Sequence, residues 1–240
     1  MARFHGKECR AYLGEKDISG DVVTATAKLT AEVHDASVLG TAYVCGEPGR
    51  LGAEVTLDCL HDPAAGGIGR KFETILGAIY GSILSIYLGD ADAVGDNGIL
   101  FPDATLSERN QPMTAADMVK LTGTLKVNGR VGLNAKLLHA LAACEVTTSF
   151  DGLDNGASSA SGGRASVHMT AITGTWNIVI EHSDDNAVGD PYAALQSWNG
   201  QTGVGALTAE VTGTVKRWLR ITATEAVAGT ITFVAGFARY

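Results

Sequence analysis

The stretch Ala53-Glu-Val-Thr-Leu-Asp-Cys59 alternates apolar and polar side chains without a break. Because successive side chains of a strand point to opposite faces, it predicts a β-strand with one wet face. A second alternation, from Asp17 to Val33, predicts another strand with one buried face. Residues 34–52 between them are rich in Gly, Asp, Ser and Pro, which is typical of a long loop or hairpin tip. The sequence therefore predicts a mainly β fold.

One segment departs from the period of two. In residues 70–80 the apolar side chains recur at spacings of three and four, which predicts a short amphipathic helix. The second half repeats the order of the first: a strand ending in His182, then Asp190-Pro191, which resembles a helix start. We therefore predict two consecutive β repeats, 1–115 with helix 70–80 and 116–240 with helix 191–198. A single β-sandwich with two incidental helices is the alternative.

Composition and charge exclude several classes of protein. The 240 residues carry 18 Lys and Arg against 26 Asp and Glu, a net charge of −8. A protein that reads nucleic-acid sequence usually has the opposite sign. The most apolar stretch, residues 75–88, is too short to cross a bilayer. We expect no membrane segment, no secretory signal and synthesis in the cytosol.

No motif for nucleotide, hydrolase or metalloprotease chemistry occurs in the sequence. Two histidines followed by acids, His61 and His182, have side chains that acid–base or metal chemistry uses, but they stand at strand ends where turn residues belong. The four cysteines lack metal-ligand spacing, and we expect them to be buried as small hydrophobes. Three tryptophans fall in apolar periods, which favours core packing over a sugar-binding platform: Trp176, Trp198 and Trp218. We expect no enzyme, no cofactor and no metal.

Many β edges and long glycine-rich loops without a catalytic constellation favour an assembly role. An unpaired strand edge is a template for another chain, and neighbouring copies can cover it. We therefore expect this chain to bind copies of itself.

Several segments resemble the major tail tube proteins of long-tailed bacteriophages. In the first half these are Asp17-Ile-Ser-Gly20, the strand after it, Asp35-Ala-Ser-Val-Leu-Gly40, and Glu54 to Asp62. In the second half they are Asp154-Asn-Gly-Ala157, Glu181 to Asp185, Gly213 to Arg220, and Phe237-Ala-Arg239.

The resemblance implies a β barrel or sandwich with a flanking helix. It implies a virion protein whose copies join edge to edge into rings of three or six, and whose rings stack into the tail tube. The tape-measure and tail terminator proteins are the further partners it implies. Residues 34–52 and 151–163 would reach the neighbouring ring, with Asp35, Ser37, Gly40, Asp154 and Asn155 as contact residues.

A tube of this kind encloses a channel through which double-stranded DNA passes without sequence recognition. Negative charge on the channel wall repels phosphates and keeps the duplex from sticking. Glu54 and Asp58 lie on the wet face of their predicted strand, and we predict that they face the channel. The alternatives are a capsid decoration or head–tail connector protein, and a carbohydrate-binding adhesin module.

Overall fold

A computed structural model describes residues 9–35, 46–62, 64, 67–78, 81–89, 93–113 and 118–240. These residues form sixteen strands and one helix. In chain order the elements are β1 Arg10–Leu13, β2 Lys16–Asp17, β3 Val22–Asp35, β4 Gly46–Leu60, α1 Ile68–Ile75, β5 Ser82–Leu88, β6 Asn97–Asn110, β7 Lys120–Asn128, β8 Gly132–Cys144, β9 Thr148–Ser149, β10 Leu153–Asp154, β11 Gly163–Ile172, β12 Thr175–Ser183, β13 Ala193–Gln201, β14 Gly205–Val211, β15 Trp218–Val227 and β16 Ile231–Arg239. The prediction of a mainly β fold is confirmed.

The chain forms two compact units that interleave in sequence. Unit 1 comprises Met1–Gly20, Ser82–Asp103 and Gly129–Tyr240, and unit 2 comprises Asp21–Gly81 and Ala104–Asn128, as far as these ranges are described. The predicted boundary between residues 115 and 116 does not separate them, because the chain enters unit 2, leaves it and returns through β6. Duplication of a repeat stays a prediction.

Unit 1 contains two sheets that enclose a core. One sheet has the strand order β14-β11-β16-β8-β6-β5-β1-β2, and the other has β10-β15-β12-β13 with β9 paired to β15. Alternate residues of β11 and β16, including Val167 and Phe233, pack against alternate residues of β12 and β15, including Trp176 and Ile221. These four side chains are completely buried. This is sandwich packing, driven by the removal of apolar surface from water.

Unit 2 is a sheet with a helix on one face. β4 pairs with β3 on one side and with β7 on the other, and β7 also pairs with β6. The helix α1 places Phe72 over β7 at Gly123, where an added Cβ would lie 2.3 Å from the Phe72 ring. Phe72 is completely buried. A side chain larger than hydrogen at position 123 is therefore incompatible with this packing.

The first predicted helix is confirmed, with shifted ends. α1 begins at Ile68 and ends at Ile75 because Leu76 is extended and forms a parallel bridge with Leu106. Residues 79 and 80 of the predicted helix lie outside the described residues. No helix in the described part of the chain is long and apolar enough to span a membrane.

The second predicted helix, 191–198, is wrong. Residues Ala193–Gln201 form the strand β13, paired with β12. Two β-bulges each insert one extra residue into β13. Because Leu195 is the extra residue of one of them, Leu195 and Trp198 both pack on the core at a spacing of three. That spacing imitates a helical period. The carboxylate of Asp190, predicted as a helix cap, instead binds Lys216 Nζ at 2.7 Å.

The predicted long loop or hairpin tip 34–52 is shorter than expected at both ends, and the antiparallel pairing of β3 with β4 favours the hairpin. β3 continues to Asp35 and β4 begins at Gly46, with Asp35 paired to Gly46. Pro48 is tolerated there because that part of β4 has β3 as its only partner among the described residues, which leaves the opposite edge free. The middle of the predicted loop lies outside the described residues.

Candidate assembly surface

The strand β3 forms the outer edge of the unit 2 sheet. Within the described residues it pairs with β4 alone. From Thr24, opposite Asp58, to Ala31, opposite Leu51, the pairing runs without a register shift. The other side of this stretch therefore presents a regular row of backbone N–H and C=O groups for a further strand.

Every residue of β3 from Val23 to Glu32 is exposed. This corrects the prediction that one face of this strand is buried. Two of the exposed side chains are large and apolar, Val23 at 68% and Leu29 at 51%, and Leu51 on β4 is 84% exposed. The alternation marks the face that favours burial, but nothing in the described chain covers it.

The apolar face of β3 continues a face that is covered elsewhere in the same sheet. Ala25 and Ala27 lie opposite Leu57 and Val55 of β4, which are completely buried. Directly opposed residues of an antiparallel pair share a face, so the buried and exposed rows belong to one surface. The apolar row Ala25, Ala27, Leu29 and Ala31 is its uncovered end, and we call it the β3 apolar row.

The opposite face of unit 2 is polar and carries both predicted channel residues. Glu54 lies between Lys28 of β3 and Lys126 of β7 in the register, and it forms an ion pair with Lys126. Asp58 accepts a hydrogen bond from Thr122 Oγ1 at 2.7 Å. The two carboxylates share one face, as the alternation predicts, and the charge of Glu54 is compensated by Lys126.

Two of the predicted inter-ring contact residues are engaged within their own chain. The Asp154 carboxylate accepts a hydrogen bond from Arg217 Nε at 2.7 Å and another from the Gly156 N–H at 2.7 Å. The Arg217 hydrogen bond, with that of Gly156, lowers the pKa of Asp154 to about 2. Asn155 Nδ2 donates to the backbone oxygens of Leu153 and Arg217.

The other three predicted contact residues can be placed only in part. The backbone of Asp35 pairs with Gly46 at the end of β3. Ser37 and Gly40 lie outside the described residues. Their role as contacts between rings stays a prediction.

A second edge strand, β13, is built differently from β3. It pairs with β12 only, among the described residues, and closes the smaller sheet of unit 1. Its two bulges break the register within nine residues, and Gly200 adopts φ 68°, which a side chain would disfavour. Bulges twist an edge and interrupt its ladder, so β13 is a poor template for a further strand.

The histidines that sequence alone singled out lie in separate units. His182 Nδ1 accepts a hydrogen bond from the Lys216 backbone N–H at 3.3 Å. Burial and then the charge of Lys216 lower the pKa of His182. The His61 backbone N–H donates to Val119 O at 2.9 Å. Within the described part of the chain no three metal-ligating side chains cluster.

The cysteines and tryptophans largely follow their predicted structural roles. Cys59 and Cys144 are buried, and burial raises the pKa of Cys59 to about 12, so its thiol stays protonated and unreactive. Cys9 is half-buried, and Cys45 lies outside the described residues. Trp176 is completely buried, whereas Trp198 and Trp218 are half-buried. A platform made of all three tryptophans is therefore excluded.

Sequence patterns did not reveal two parts of this surface. The first is that both faces of β3 are exposed, since alternation alone implies that one face is covered. The second is the regular stretch that makes β3 different from β13, because bulges come from pairing and not from composition. The one available signal was the scarcity of charge in β3, where only Lys28 and Glu32 interrupt Thr, Ala, Val and Leu between Val22 and Glu32.

Comparisons with known proteins give distant structural similarities. No protein-family model matches the sequence, and no curated protein is significantly similar to it.

A chain from the virion of a native gene transfer agent particle covers 55% of this chain and 98% of its own length, with 12% identity and a TM-score of 0.44. The sheath/tube terminator of an extracellular contractile injection system covers 55% and 96%, with 14% identity and a TM-score of 0.45. The SPP1 tail tube protein covers 53% and 77%, with 11% identity and a TM-score of 0.41. Likenesses this distant assign no function.

Proposed function

We propose that this chain is a structural, non-enzymatic subunit of a phage-type virion tail, and that its copies join through the edge of β3 into rings that stack as a tube. The observation that carries the proposal is β3 itself. It offers a long edge without a register shift from Thr24 to Ala31, with side chains exposed on both faces. Protein edges that stay unpaired are usually shortened, bulged or covered.

Burial of the β3 apolar row supplies the driving force for association. Leu29, the largest side chain of the row, is half exposed and lies beside an edge that can accept backbone hydrogen bonds. A strand from another copy would bury these side chains and satisfy the free N–H and C=O groups together. Association of copies is enough to explain the exposed apolar side chains of this surface, without a ligand.

The polar face of unit 2 supports a channel that DNA crosses without binding. Threonines and paired charges dominate the face that carries Glu54 and Asp58. A face without an excess of lysine or arginine offers few phosphate contacts, and phosphate contacts dominate non-specific affinity for DNA. We propose that Glu54 and Asp58 line this channel. Tape-measure and terminator proteins would then be partners of the tube.

The test is electron microscopy of the purified full-length chain over a range of concentrations, with analytical ultracentrifugation alongside. The proposal expects hollow cylinders or stacked rings. A chain that stays monomeric at every concentration, including in the presence of preformed tail tips, would contradict it.

The same images separate the tube from the other virion roles. Single rings that never stack would indicate a connector, and binding to capsids without any self-assembly would indicate a decoration protein. Either result would retain the β3 edge as an interface but reject the tube.

A further inference from the structure

The strand β14 is a third edge, and it shares the regularity of β3. It lies at the end of the larger unit 1 sheet and pairs only with β11 among the described residues. The pairing runs from Gly205, opposite Met169, to Val211, opposite Gly163, with no register shift. β14 therefore presents an unbroken ladder edge of seven residues, unlike the bulged β13.

The side chains of β14 alternate in the same way as those of β3. Leu207 and Ala209 share a face with Val167 and Ala165, which are completely buried. Thr208 and Glu210 lie on the opposite face. Both edges thus have one apolar face and one face that combines threonine with charge, Lys28 and Glu32 on β3 and Glu210 on β14.

We propose, on the basis of the proposed function, that β3 of one copy adds antiparallel to β14 of the next copy, with Lys28 opposite Glu210. This register places Leu29 opposite Ala209, Ala31 opposite Leu207, and Thr30 opposite Thr208. Apolar residues meet apolar residues and threonine meets threonine. The lysine meets Glu210, whose side chain is 48% exposed and already forms an ion pair with Arg164 within its own chain. Cross-strand pairs of these kinds stabilise a sheet.

The antiparallel direction follows from the position of the β3 bulge. A parallel strand with the same Lys28–Glu210 pair would use residues 23–29, and β3 is bulged between Val22 and Thr24. The antiparallel register uses residues 27–33; the register shift between Ala31 and Val33 places its extra residue in β4, so β3 itself stays regular there. Because β3 and β14 are different edges, each copy can bind two neighbours, one through each edge, as a ring requires.

A competing arrangement pairs β3 with β3. Placing Lys28 opposite Glu32 of a second copy also matches charge, and it puts Thr30 opposite Thr30. Such a contact is symmetric and closes after two copies. A dimer of this kind would occupy β3 of both copies, so β3 could not pair with β14 in a ring.

Disulfide trapping in the full-length chain distinguishes these registers. In a background with Cys9→Ser and Cys45→Ser, Glu32→Cys with Ala206→Cys reports the antiparallel β3–β14 register. Thr24→Cys with Ala206→Cys reports the parallel register, and Thr30→Cys alone reports the β3–β3 dimer. Only paired positions come within the narrow distance that a disulfide accepts.

The expected result is a ladder of covalent multimers from Glu32→Cys with Ala206→Cys, about tenfold more abundant than any product of the other two variants. A mixture of chains carrying one of these two cysteines each should stop at covalent dimers. Predominant trapping of either other variant would overturn the register, as would assembled particles in which no pair reacts.

Sedimentation before oxidation distinguishes a wrong β3–β14 register from a wrong proposed function. If particles form but the antiparallel pair does not react, the edge assignment is wrong while assembly stands. If all three variants and the parent chain remain monomeric, the assembly proposal itself is wrong, and the β3–β14 contact is rejected with it.

Discussion

β3 and β13 are both edge strands, and the difference between them shows how this chain separates an assembly edge from a protected edge. β13 has two bulges and a left-handed glycine within nine residues, so its ladder is broken. β3 keeps an unbroken register from Thr24 to Ala31 and exposes both of its faces. One sheet edge of this chain is therefore protected against the addition of a further strand, whereas another edge can accept one.

The largest expected effect on assembly comes from charging the β3 apolar row. Leu29→Lys should raise the concentration needed for assembly by about a hundredfold or more, since burying an unpaired ammonium costs several kcal/mol. Monomer stability should change by less than about 0.5 kcal/mol because Leu29 is already half exposed. Ultracentrifugation and thermal unfolding measure the two quantities.

Val227→Lys is the matched control for this variant. Val227 is 58% exposed, close to Leu29, but it lies at the end of β15 in unit 1. It should assemble like the parent chain. Equal loss of assembly in both variants would mean that surface charge in general, and not the β3 edge, controls association.

A second experiment tests whether the stability of unit 2 depends on its buried core, in contrast to the exposed edge of β3. Phe72→Ala should destabilise unit 2 by about 3–5 kcal/mol, because it leaves a cavity between α1 and the sheet. Urea unfolding followed by hydrogen exchange in β4 and β7 would report the loss. Glu73→Ala on the same helix, whose side chain is 43% exposed, should change stability far less than Phe72→Ala. Similar values for the two variants would contradict the assigned packing.

Acid should affect the unit that contains β13 through a buried histidine. His139 stacks on Phe233 with ring centroids 4.2 Å apart, and burial lowers the pKa of His139 to about 4. Between pH 6.5 and 4 the unfolded chain therefore binds a proton at His139 that the folded chain does not bind. The free energy of unfolding should fall by about 3 kcal/mol in total as the pH drops from about 6.5 to about 4.

Thermal unfolding of His139→Gln across this pH range provides the check. The variant does not titrate there, so its stability should fall less steeply than that of the parent chain. An unchanged acid slope in the variant would show that His139 does not carry the effect.

The smallest expected effect concerns the polar face. A double-mutant cycle on Glu54→Ala and Lys126→Ala should give a coupling of about 0.2–1 kcal/mol, weakening with salt, since the lysine side chain is 60% exposed. Urea unfolding at low and high salt measures it. A coupling above about 2 kcal/mol would mean that this ion pair stabilises the sheet and does not merely neutralise the charge of its polar face.

Alternation predicted the strands well but not what covers them. The pattern around Val55 and Leu57 indicated a half-buried strand, and both side chains are completely buried. The same alternation in β3 predicted a buried face that the described chain leaves open. Periodicity reports the preference of a face, whereas burial depends on which element packs there.

Strand pairing also produced the main error of the sequence analysis. The spacing of Leu195 and Trp198 fits a helix, yet it arises from bulges in β13. A bulge depends on the register with β12, which no local pattern reveals. For the candidate site, the shared face of Glu54 and Asp58 followed from the period of two, but the lysines beside Glu54 come from two other strands.

Hydrogen exchange of the β3 backbone amides before and after assembly tests the central claim most directly. If another copy pairs with this edge, the amides of β3 whose N–H groups face away from β4 should exchange at least about a hundredfold more slowly in the assembled particle, while those on the outer side of β13 keep their monomer rates. Particles in which the β3 amides exchange as fast as in the monomer would contradict the account.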